Sequence, residues 1–165
     1  MYEGLKQAED LLVRFGGHPM AAGLSLREDR LGEFRRRLNE ECALTAEELA
    51  PKFWIDLPMP LSYVSAELVR EFERLEPYGN GNPKPLFAEK NIRPVNLKVI
   101  GRNRNGLKMD LYTSDGYRFS GLMFGNADEL RERLEGRRSV NIVYHPQLNR
   151  YMGTETVQFL IEDFF

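Results

Sequence analysis

Apolar positions recur at helical spacing at the start of the chain. Leu5, Ala8, Leu11 and Leu12 line one side, with Lys6, Glu9 and Asp10 on the other. The spacing predicts a helix over 3–14, stopped by Gly16 and Gly17, because glycine accepts the left-handed conformation that closes a helix end. Ala21–Leu26 is a short apolar run that reads as a buried strand. A second helix is expected over 28–42, with the stripe Leu31, Phe34, Leu38 and Cys42 and with Glu28 and Asp29 at its positive end. Thr45 and Glu48 have the spacing of a capping box for one further turn. This αβα piece cannot stand alone, since one strand has no sheet to join. Residues 1–50 are therefore expected to be the end of a larger domain that begins before Met1. Their strand at 21–26 should seek a partner, either among the barrel strands expected over about 90–163 or in a second copy of the chain.

Beyond Pro51 comes an extended Phe53-Trp54-Ile55 run, then a helix over 65–75 with Leu68, Phe72 and Leu75 on one side. A loop dense in turn formers follows, from Pro77 to Pro85. The period then changes from helical to alternating. Ile92 to Gly101 reads as a strand; Leu107, Met109, Leu111 and Thr113 alternate with Lys108, Asp110 and Tyr112. Asp115-Gly116 turns the chain into a strand over 117–124. Asn126 caps a helix over 127–134, and strands over 139–145 and 155–162 finish the chain. Three strands, a helix and two strands is the order of a five-stranded OB-fold barrel. The expected fold class is α+β: an OB-fold barrel over about 90–163, within a domain of 51–165, preceded by the incomplete αβα piece.

The net charge of −2 argues against a general polyanion binder, but the charge is uneven. Residues 1–50 carry seven Lys/Arg and ten Asp/Glu, whereas residues 90–125 carry seven Lys/Arg and two Asp/Glu. A local basic surface matters more for phosphate contact than the total does. No apolar stretch approaches the roughly 20 residues that span a bilayer, and no secretory signal opens the chain. The one cysteine, Cys42, can form no internal disulfide. These features point to the cytoplasm and to no membrane partner.

Three segments carry candidate chemistry. In Arg14-Phe15-Gly16-Gly17-His18-Pro19-Met20-Ala21-Ala22-Gly23, two glycines could turn backbone N–H groups outward as an anion-holding nest, with His18 adding a hydrogen bond or charge. A helix stop followed by a satisfied histidine is the structural alternative. The whole string resembles the Gly-Gly-His signature of the DHH-associated domain in RecJ-type phosphoesterases. Pro19 stands where that pattern has a polar or basic residue. Next, Leu75-Glu76-Pro77-Tyr78-Gly79-Asn80-Gly81-Asn82-Pro83-Lys84-Pro85 resembles the loop that leads into the RecJ OB domain, and its prolines and glycines suit a rigid crossing. Finally, Phe119–Gly125 of the barrel is also RecJ-like.

The resemblance implies that Gly16, Gly17 and His18 hold a nucleotide or terminal phosphate. It implies a parent protein that degrades single-stranded DNA from the 5′ end, in recombination and repair, with manganese or magnesium on a DHH domain. That domain is expected to be a partner missing from this chain, which has no Asp-His-His run, no Cys/His metal spacing and only His18 and His145. No catalytic or metal residue is therefore assigned, and no cofactor. OB-folds bind single strands by pairing a basic groove with aromatics on which bases stack. The candidates are Arg102, Arg104, Lys108 and Arg118, with Tyr112 beside them and Tyr144 as a weaker choice. Phe119, Phe124 and Phe159 are expected in the core. Two other readings stand beside this one: a non-catalytic adaptor whose barrel binds a protein, and a DHH-family enzyme for small nucleotides.

Overall fold

A computed structural model describes residues 2–42 and 44–165. It divides into two compact units, 1–52 and 53–165.

The first unit begins with a short helix, α1 (Tyr2–Lys6), and a single 3-10 turn at Glu9–Leu11. Strands β1 (Leu12–His18) and β2 (Ala21–Leu26) then pair as an antiparallel hairpin. Helix α2 (Leu31–Glu40) follows, and α3 (Ala46–Leu49) closes the unit behind the expected capping box of Thr45 and Glu48. Leu5, Ala8, Leu11 and Phe34 form a small core. Several expectations fail here. The helix does not run to residue 14, because the chain turns out after Leu11 and β-branched Val13 and aromatic Phe15 favour an extended backbone. The motif glycines consequently lie inside a strand and stop no helix. The piece is αββα, so the strand at 21–26 has its partner within the unit, and most of its residues are exposed. Leu31 and Cys42, placed on the buried stripe, are exposed as well.

The second unit is the barrel. A two-residue strand, β3 (Leu57–Pro58), and helix α4 (Ala66–Glu73), capped by Ser65, precede it. Its strands are β4 (Phe87–Ile100), β5 (Gly106–Tyr112), β6 (Arg118–Phe124), β7 (Val140–Tyr151) and β8 (Thr154–Phe164). Helix α5 (Ala127–Leu134) sits between the third and fourth of these, capped by Asn126. The sheet order β4-β5-β6-β8-β7 closes because β7 also pairs with β4. The one parallel contact among these five strands, β6 with β8, completes the OB arrangement. Strands β4 and β7 run longer than the alternation suggests, since β4 serves two neighbours in turn: β7 along its first half and β5 along its second.

Inward positions alternate as expected. Leu107, Met109 and Leu111 of β5 are buried with Ile92, Met123, Ile142, Tyr144, Phe159 and Ile161. Tyr144 is fully buried and its hydroxyl donates to the Met59 carbonyl at 2.7 Å, which removes it as a ligand-facing candidate. Among the described residues no helix is long and apolar enough to cross a membrane.

Glu89 of β4 is half-buried and accepts a hydrogen bond from the Leu61 N–H at 2.7 Å. Burial pushes its carboxyl above the ordinary value of 4.5 against the opposing pull of that hydrogen bond, and Asp115 adds repulsion. The folded state thus binds the proton more tightly than the unfolded chain. Its contribution is complete below 4.5 and is lost as the pH rises through the folded value. The Glu89→Gln variant keeps an acceptor for Leu61 and removes the titration. Denaturation midpoints of the barrel, measured across this window, should fall with rising pH less steeply in the variant. Identical slopes would mean that Glu89 does not carry the effect.

Candidate nucleic-acid interface

The alternation that buries Leu107, Met109 and Leu111 turns Lys108, Asp110 and Tyr112 to the outer face of the barrel. Register then gathers residues from three strands into rows. Arg93, Tyr112 and Arg118 stand opposite one another on β4, β5 and β6. Two steps along are Val95, Asp110 and Ser120, then Lys98, Lys108 and Leu122, then Ile100, Gly106 and Phe124. A bulge between Val95 and Lys98, with Asn96 at φ 55°, resets the parity of β4. Arg93 and Lys98 therefore share one face although one is odd-numbered and the other even.

Tyr112 is half-buried, and the Arg93 guanidinium lies over its ring at 5.2 Å from the centroid. Arg118 stands opposite Tyr112 on β6 and reaches Asp110 at 4.0 Å. Asp110 also accepts from the Asn96 amide at 2.6 Å, so the one acidic side chain on this face is already engaged. Lys98 and Lys108 are exposed at directly opposed register positions. Like charges so placed repel. Among the described residues, Lys98, Lys108 and Arg102 enter no ion pair.

Arg104 differs. It sits at φ 53° in the loop between β4 and β5 and holds Asp128 of α5 with two hydrogen bonds, at 2.9 and 2.5 Å. Those bonds keep the Asp128 carboxyl below its ordinary range. Arg104 anchors the loop, and its charge is matched. Sequence inspection could not pair it with a residue 24 positions away.

Three residues on the face were not among the binding candidates read from the sequence: Arg93, Lys98 and Phe124. Phe124, expected in the core, is 61% exposed. Its even spacing from Arg118 is the signal that could have found it. Phe119 packs edge-on against Phe159 at 5.5 Å, and Phe159 is fully buried, so both belong to the core.

Gly16, Gly17 and His18 are brought together on β1 at the closed end of the hairpin, opposite Gly23, Ala22 and Ala21. An extended strand aims successive N–H groups at opposite edges, so the two glycine amides do not converge in a nest. His18 is exposed, and its Nδ1 lies 3.5 Å from the Met20 N–H.

Residues 55–163 match the family model of the RecJ OB domain. The chain belongs to that family. The match takes in the barrel strands to within one residue of the end of β8. Similarity to RecJ also extends beyond the OB domain. The single-stranded-DNA-specific exonuclease RecJ of Bacillus subtilis is 31% identical over 165 residues, covering 99% of this chain and 21% of that protein. RecJ of Dickeya dadantii is 34% identical over 157 residues, covering 92% of this chain and 26% of that one. A crystal structure of RecJ from Thermus thermophilus in complex with Mg2+ superposes with a TM-score of 0.68 and 26% identity, covering 99% of this chain and 24% of its own. The chain thus spans about a fifth to a quarter of the length of these relatives and corresponds to a C-terminal stretch of RecJ.

Proposed function

We propose that the outer face of β4, β5 and β6 holds single-stranded DNA for a RecJ-type 5′ exonuclease whose metal-dependent DHH domain lies outside this chain. The observation that carries this reading is the pair Lys98 and Lys108. Two exposed, unpaired cations repel each other on one face, beside a tyrosine flanked by two arginines. A phosphate between the lysines would turn their repulsion into attraction, and a base could stack on the free side of Tyr112. Residues Gly16, Gly17 and His18 are the proposed contact for a terminal phosphate, through the exposed imidazole.

The test is a titration with fluorescent single-stranded DNA at several salt concentrations. Each lysine–phosphate contact removed should flatten the dependence of log affinity on log salt by about 0.7. The Lys98→Ala, Lys108→Ala double variant should therefore lose about 1.4 from that slope. Tyr112→Ala should weaken binding by about 1–3 kcal/mol at nearly constant slope. Unchanged affinity and slope in the folded double variant would remove this face as the DNA path.

The role proposed for the chain is holding, not cutting. Among the described residues no three His, Cys, Asp or Glu side chains come together in a group able to hold a metal ion. Purified chain with manganese or magnesium is expected to leave 5′-labelled single-stranded DNA intact. Digestion that co-purifies with the folded protein would contradict this.

One observation favours the adaptor reading. Two apolar concavities flank the Pro58-Met59-Pro60 ridge, one lined by exposed Ile55 and the other by exposed Leu57 and Tyr63. Retained capture of a protein partner by a variant that no longer binds DNA would support it.

A further inference from the structure

The face that carries Tyr112 ends, six residues along β6 from Arg118, at an aromatic ring with no assigned role. We propose that Phe124 is a second base-stacking platform for a single strand, so that the bound strand runs along β5 and β6 from Tyr112 to Phe124. This rests on the reading of the face as the DNA path and adds a direction, a second contact and a length to it.

Four features point to Phe124. Its ring is 61% exposed and shares the outward row of Ile100 and Gly106. Gly106 contributes no side chain, and Ile100 lies across it: a Cβ at Gly106 would sit 2.9 Å from Ile100 Cγ1. The ring is therefore bordered by a low apolar floor, continued by half-buried Leu122 two residues back. Nucleobases need such a surface, flat and apolar, beside a cation.

The cation is Arg102. It is exposed in the loop between β4 and β5, while Arg104 of the same loop is committed to Asp128. The loop is tied to the end of β6 on both sides of Asn126. Gly125 N–H donates to the Asn105 carbonyl and Ala127 N–H to the Arg104 carbonyl, each at 3.1 Å. Phe124 is thus held in a ladder and pinned just beyond it, so stacking on it would freeze little additional motion.

Charge order along the face fits one strand. Arg93 and Arg118 stand at the Tyr112 end, Lys98 and Lys108 in the middle, and Arg102 beyond Ile100. The two aromatic positions are six strand residues apart, about 20 Å at about 3.4 Å per residue. A strand at the stacked rise of about 3.4 Å per nucleotide covers that distance with about six nucleotides, and an extended strand with fewer.

The decisive experiment uses the whole chain and an oligothymidylate dodecamer. Trp54 is the only tryptophan, so the Trp54→Phe, Phe124→Trp variant carries one fluorophore at the platform. Saturating DNA should quench its emission, whereas the Trp54→Phe, Phe53→Trp control should change little. In parallel, Phe124→Ala should lower affinity about tenfold with the salt slope and the melting temperature unchanged. Absence of quenching, with Phe124→Ala within about twofold of the unsubstituted chain while binding still depends on Lys98 and Lys108, overturns the platform and leaves the face standing. If the unsubstituted chain does not bind the dodecamer, both fall together.

Discussion

Phe159→Ala should destabilise the barrel by about 3–5 kcal/mol, the cost of emptying a ring-sized space that neighbours cannot fill. Phe159 is fully buried where β8 crosses from β7 to β6. It meets Tyr144 edge-on at 5.2 Å and Phe119 at 5.5 Å. On β6 it stands opposite Gly121, which has no space for a side chain: a Cβ there would lie 2.8 Å from Leu111 Cδ1. The ring therefore bridges the parallel contact that closes the barrel sheet, and losing it weakens closure as well as packing. Denaturant unfolding of the barrel checks the size of the loss. Phe124→Ala, at an exposed ring on the outer face, should stay within about 0.5 kcal/mol of the unsubstituted chain. A loss below about 1 kcal/mol for Phe159→Ala would contradict the aromatic core described for the barrel.

The contrast between Phe159 and Phe124 shows how much the sequence carries. Strict alternation of Leu107, Met109 and Leu111 with Lys108, Asp110 and Tyr112 specifies which residues of β5 face out, because a one-residue slip would bury Lys108. The Asp115-Gly116 turn and the Asn126 cap bound the neighbouring elements on local chemistry alone. That much of the barrel, and of the site, is legible. The bulge at Asn96 is not, because nothing in a run of alternating residues marks where parity resets. Arg93 and Lys98 therefore cannot be assigned to one face from the sequence. Arg104 is illegible for another reason: its partner Asp128 lies beyond two whole strands, and only the fold brings them together. In the first unit, Leu5, Ala8 and Leu11 do share a buried side. Leu12 continues their spacing although the chain has already become extended there. A pair of glycines with the look of a helix stop is also compatible with a tight hairpin.

Gly17→Ala should unfold that hairpin, whereas Gly16→Ala should not. Gly17 adopts φ 155°, a conformation in which a Cβ would collide with the Ala21 carbonyl oxygen and lie 2.5 Å from Ala22 Cα. Both are backbone atoms of β2, so no side-chain rotation can relieve the clash, and the strands must separate. Strain of this kind costs of order 1–3 kcal/mol even where the structure tolerates it. The core of this unit is small, built on Leu5, Ala8, Leu11 and Phe34, and has little to set against such a loss. At Gly16 a Cβ would find nothing within 4 Å. The two adjacent glycines of the motif thus separate two demands that the motif alone confounds. Position 17 must be glycine for the hairpin to close. A requirement for glycine at position 16 would have to come from something that approaches the strand from outside, such as a phosphate. Circular dichroism and limited proteolysis of the two variants should show the first unit disordered in Gly17→Ala and intact in Gly16→Ala. With folding preserved, affinity for 5′-phosphorylated single-stranded DNA then reads the proposed phosphate contact in Gly16→Ala and in His18→Ala. Both variants binding 5′-phosphorylated and unphosphorylated strands as the unsubstituted chain does would reduce the Gly-Gly-His signature, in this chain, to the geometry of a two-residue turn.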